Sequence, residues 1–113
     1  MTTRPKDQKV VEFRPRIGDL EQTIKNLAQT TSKISWSQHA QDQMVARDIS
    51  DAEALKVLRS GFIEGEIEAG KYAGEWKCKM VARIKGNRDV GVATIVVNSQ
   101  RLYIKTVEWE DIR

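Results

Sequence analysis

The chain has 113 residues, 40% apolar and 31% charged, with a formal net charge of +3; a domain of this length buries roughly two thirds of its extended-chain surface, enough for one core. No apolar run approaches the roughly 18–20 residues that a membrane-spanning helix needs, so no membrane partner is expected. A single cysteine, Cys78, excludes an internal disulfide, a cysteine-built zinc site and a CxxC redox centre, and with His39 the only histidine, neither a metal nor another cofactor is expected.

Residues 1–18 read as a flexible basic arm and residues 19–113 as one domain. Arg4-Pro5-Lys6-Asp7-Gln8-Lys9 is polar, Pro15 and Gly18 punctuate the end of the arm, and Val10, Val11 and Phe13 are able to pin it to the body. The start has no apolar stretch of the secretory type, which makes the cytoplasm the expected location. Leu20, Ile24, Leu27 and Ala28 form one stripe at helical spacing, predicting a helix over 20–30 capped by Asp19 and ended at Thr30-Thr31-Ser32. Ile34-Ser35-Trp36 is a short extended entry to a second helix over 38–47, with Ser37 as its N-cap and Ala40 and Met44 facing the core. Ser50 and Glu53 make a capping box, each side chain satisfying a backbone donor of the other residue. The helix they open turns Ala54, Leu55 and Leu58 inward and is expected to end on a left-handed Gly61.

After Gly61 the period of the pattern changes from 3.6 to 2. Residues 62–68 read as a short polar strand and 70–74 as a turn. From Glu75 to Lys85 the even positions Trp76, Cys78, Met80, Ala82 and Ile84 are apolar, while Lys77, Lys79 and Arg83 fall on the other face. Gly86-Asn87-Arg88-Asp89 is a hairpin loop. Residues 90–97 are apolar on both faces and predict a central strand. Asn98-Ser99-Gln100 turns the chain into a last strand over 101–109. The expected fold is α+β, with N-terminal helices on one face of an antiparallel meander of about four strands.

Charge is unevenly spread. Residues 42–68 carry three basic and seven acidic side chains, whereas residues 71–105 carry eight basic and two acidic. A basic segment on an otherwise neutral domain suggests a site for an anion, and a solvated lysine-rich surface explains it equally well.

The stretch Ile34-Ser-Trp-Ser-Gln-His-Ala-Gln-Asp-Gln-Met-Val-Ala-Arg-Asp-Ile-Ser50 resembles the opening of the small bacterial proteins known as domain of unknown function 4258. Their pattern reads Ser-x-His-Ala-x-x-Arg-Met-x-x-Arg-Gly-Ile, followed by a capped helix ending in Gly and a four-strand meander. The resemblance spans about residues 34–109. It rests on Ser37, His39, Ala40, Met44, Arg47, Ile49 and Gly61, and departs at Gln43, where Arg is usual, and at Asp48, where Gly is frequent. Asp tolerates the left-handed conformation better than most residues. By its helices-then-sheet order the family looks like the RelE/ParE-like and barnase-like toxin folds, many of which are metal-independent ribonucleases. The resemblance therefore implies a toxin-like protein that binds or cleaves RNA, with a small antitoxin-like protein as a partner.

His39, Gln43 and Arg47 lie four residues apart and make a polar stripe on the second helix. Metal-free RNA cleavage needs a base for the 2′-hydroxyl, an acid for the leaving oxygen and cations for the phosphorane, which makes His39 and Arg47 the catalytic candidates. A structural reading is equally physical: His39 as a hydrogen-bonder near the cap, and Arg47 paired with an acid of the next helix. Gln43 stabilises an oxyanion less than a guanidinium does. Lys77, Lys79 and Arg83 on one strand, with Tyr103 and Lys105 on the last, form a candidate platform for single-stranded RNA, where cations hold phosphates and the ring stacks a base. An ordinary exposed face is the alternative, because lysines on outer strands also block edge-to-edge aggregation. Cys78 is expected to be a buried small hydrophobe. The contrasting function is a non-catalytic protein-interaction module, phage- or plasmid-associated, that uses its arm or its sheet.

Overall fold

A computed structural model describes residues 14–110, so residues 1–13, where most of the basic arm is expected, lie outside the described residues. Among the described residues the elements run α1 (Ile17–Leu27), a 3-10 turn (Thr31–Lys33), β1 (Ile34–Trp36), α2 (Gln38–Arg47), α3 (Asp51–Ser60), β2 (Phe62–Ala69), β3 (Glu75–Lys85), β4 (Arg88–Val97) and β5 (Arg101–Trp109). The fold is α+β, with the helices packed on one face of a mixed five-stranded sheet in the order β1-β5-β4-β3-β2.

The helices start where capping chemistry starts them. Ser37 Oγ accepts from the backbone N–H of Ala40 at 2.9 Å, and the hydroxyl donates to the carbonyl of Lys105 on β5. Asp48 ends α2 in the left-handed conformation at φ 56°. Ser50 and Glu53 form the reciprocal capping box of α3. Ser50→Ala is expected to cost about 0.5–2 kcal/mol, measurable as a lower urea midpoint with an unchanged slope. A midpoint equal to the parent's would mean that the box contributes nothing.

Four expectations need correction. α1 begins at Ile17 after Arg16, so Gly18 belongs to the helix and Asp19 sits in its first turn, where an acid favours the dipole without capping. Ile34–Trp36 is a full member of the sheet, paired in parallel with Leu102–Ile104, so the sheet has a fifth strand. Gly61 has φ −85°, an ordinary value. Glycine is required there because a Cβ would lie 2.5 Å from the Val81 carbonyl oxygen and 2.6 Å from that of Val57. β4 also starts two residues early, at Arg88, which leaves a tight turn at Gly86-Asn87.

The meander is otherwise as its alternation predicts. Cys78 and Met80 of β3 face Thr94 and Val92 of β4, which face Ile104 and Val107 of β5. Apart from Thr94, which is equally buried, these side chains join Ile24, Val57 and Leu58 of the helices in one apolar cluster, and Trp76 packs half-buried against it. β4, apolar on both faces, is the central strand. Burial pushes the Cys78 thiol up to about 12, with the Glu21 carboxylate adding to the effect, so it stays a neutral packing group.

Candidate functional site

β1 covers β5 only as far as Ile104. Beyond that point the outer edge of β5 would present bare backbone donors, and α2 lies against it instead. The buried Gln43 accepts the backbone N–H of Val107 with its Oε1 at 2.9 Å. At the far end Trp109 donates its indole N–H to the Arg47 carbonyl at 3.0 Å, and the Arg88 guanidinium stacks 3.9 Å from the centroid of the Trp109 ring. α2 is thereby tied to β5 at its N-cap, its middle and its last turn.

This docking separates the members of the polar stripe. Each residue advances about 100° around a helix, so positions eight apart differ by roughly 80°. His39 is exposed, Gln43 is buried and Arg47 is half-buried. Arg47 lines a groove of about 220 Å³ with Lys79, Glu108, Trp109 and Glu110, and His39 is not among its lining residues. The Arg47 side chain has no hydrogen-bond or ion-pair partner among the described residues, and neither does Glu108.

The other sheet face, opposite the helices, holds the remaining candidates. Lys77 pairs with Glu68 at 3.5 Å, Lys79 with Glu64 at 3.4 Å and with Glu110 at 2.5 Å, and Arg83 with Asp89 at 3.2 Å. The hydrogen bond to Glu110 raises the Lys79 pKa above its ordinary value, against a smaller desolvation effect, so the ammonium stays charged. Glu110 reaches it by lying over Gly91, where a Cβ would collide with the carboxylate. Lys77, Lys79 and Arg83 are therefore brought together with their counter-charges, which the sequence places on β2, on β4 and just beyond β5.

β5 differs. Arg101, Tyr103 and Lys105 are all exposed, alternate with the buried Leu102 and Ile104, and have no side-chain partners among the described residues. At roughly 3.3 Å per residue they stand about 6.6 Å apart. A bulge opposite Ala93 and Thr94 then shifts the register, so that Thr106 and Glu108 carry on along the same open face. Sequence reading passed over Arg101, which follows a turn, and Glu108, whose position has the wrong parity. The signal was present in the apolar positions, which change from even at Leu102 and Ile104 to odd at Val107 and Trp109. Such a phase change marks one extra residue in a strand.

Among the described residues no group of three or more His, Cys, Asp or Glu side chains is arranged to hold a metal ion, and no helix is long and apolar enough to cross a membrane. No curated protein and no solved structure is significantly similar to the chain. The family model described as Domain of unknown function (DUF4258) matches residues 36–109, from the last residue of β1 to the last residue of β5. That span contains the α2–β5 dock and, apart from Glu110, the residues that line the Arg47 groove, and the chain belongs to the DUF4258 family.

Proposed function

We propose that the chain is a small toxin-like RNA-binding protein that takes single-stranded RNA along the open face of β5. The observation that carries this reading is the row Arg101, Tyr103 and Lys105, a cation, a ring and a cation that are exposed and unpartnered among the described residues. Unpaired cations hold phosphates by releasing counterions, and an exposed ring accepts any base by stacking. Lys77, Lys79 and Arg83 contribute less to this reading, because a cation already beside a carboxylate adds little net field.

Fluorescence anisotropy with a labelled single-stranded RNA at three salt concentrations tests it. Affinity is expected to fall steeply with salt, and Arg101→Ala and Lys105→Ala each to lower the logarithmic salt slope by roughly 0.7. Tyr103→Ala is expected to weaken binding by about 1–3 kcal/mol at an unchanged slope, since stacking displaces no ions. Weak binding at every salt concentration, or an Arg101/Lys105 double variant that binds like the parent, would rule the reading out. A second reading would then lead, in which this face binds a small protein such as an antitoxin-like partner. The alternating pairs Lys77–Glu68 and Lys79–Glu64 support that alternative, because mixed charge suits a protein surface better than a polyanion.

A further inference from the structure

The groove at the end of β5 holds two half-buried groups of opposite charge that are not paired with each other: the Arg47 guanidinium and the Glu108 carboxylate. The two neighbouring charges in the groove, Lys79 and Glu110, neutralise one another at 2.5 Å. Arg47 and Glu108 are thus the charges in the groove left without a counter-charge among the described residues. A gap between an unpaired cation and an unpaired base is what a reacting phosphodiester needs, since the cation meets charge on phosphorus while the base meets the attacking hydroxyl. The backbone also fits the task. Glu108 is held on a strand, and Arg47 at a helix end fixed by the Trp109 indole and the left-handed Asp48.

The groove also continues the proposed RNA path. Lys105, Thr106 and Glu108 follow one another on the open face of β5, so a strand held at Arg101, Tyr103 and Lys105 runs into it after about 10 Å. We infer that the Arg47/Glu108 groove is a metal-independent phosphodiester-cleaving centre for single-stranded RNA, with Glu108 as the general base and Arg47 as the stabiliser of the phosphorane. The inference rests on the RNA-binding reading above. In the reaction Glu108 takes the proton of the ribose 2′-hydroxyl, the bond from that oxygen to phosphorus forms, and the bond from phosphorus to the 5′-oxygen breaks. The proton is then passed from Glu108 through solvent to the departing 5′-oxygen. The products are a 2′,3′-cyclic phosphate and a 5′-hydroxyl, and no second substrate is consumed.

The test follows an end-labelled single-stranded RNA in the presence of a chelator, with binding measured in parallel by anisotropy and folding by thermal melting. The parent is expected to yield fragments ending in a cyclic phosphate and to leave a 2′-deoxy linkage uncut. Glu108→Gln is expected to slow cleavage roughly 100- to 10,000-fold, the range for losing a general base, while keeping RNA affinity and melting temperature. A parent that binds RNA but does not cut it would overturn the cleavage centre and leave the binding reading standing. Cleavage unchanged by Glu108→Gln, or lost in His39→Ala while Glu108→Gln keeps it, would overturn the assignment of the base. Absence of RNA binding altogether would remove both.

Discussion

Ile104→Ala is expected to destabilise the fold by about 2–5 kcal/mol, the range for truncating a buried isoleucine to alanine. Ile104 is fully buried at 0% exposure, paired with Thr94 on the central strand and with Trp36 on β1. Strands on both sides hold its neighbours in place, so the cavity cannot close by a shift of one strand, and the upper half of the range applies. Urea unfolding should show the loss as a lower midpoint at constant slope. A loss under about 1 kcal/mol would mean that α2 and the sheet collapse into the space, contrary to the close packing of such interiors.

Gln43→Ala is expected to cost about 1–3 kcal/mol, because it strands the Val107 N–H without an acceptor in a buried position. Amide exchange separates this cause from lost packing. Val107 should exchange markedly faster in the variant, whereas Val96, held within the β4 ladder and away from α2, should change only through the global loss of stability. Equal exchange at Val107 in parent and variant would show that the amide finds another acceptor. A cost in this range identifies Gln43 as a residue that closes a sheet edge. It also removes the reason to read its neutrality as a lost phosphate contact, since its carboxamide points at the backbone of β5.

The sequence by itself determined the elements whose causes lie within a few residues. The start of α2 follows from Ser37, the capping box follows from Ser50 and Glu53, and the core face of β3 follows from the alternation of Cys78 and Met80 with lysines. Capping and pleating act over one turn of helix or two residues of strand, so each of these can be read from its own neighbourhood. The apolar double face of residues 90–97 likewise gave a central strand, because neighbours on both edges leave even its outer-face residues Ala93, Ile95 and Val97 half-buried.

Tertiary structure decided everything whose partner lies far along the chain. Whether Ile34–Trp36 is a loop or a strand depends on Leu102–Ile104 across a parallel pairing that leaves no local signature. Gly61 needs its lack of a side chain because the Val81 carbonyl crosses it, not because of its own dihedral angle. Lys77, Lys79 and Arg83 form a basic row in sequence, yet three of their acidic partners, Glu64, Glu68 and Glu110, come from β2 and from beyond β5. His39 and Arg47 share a stripe in sequence, but docking α2 against the bare edge of β5 leaves His39 in solvent and puts Arg47 beside Glu108. Local patterning sets which residues form an element and which face is apolar, while the charges that meet on that element's other face are set by strand order and register.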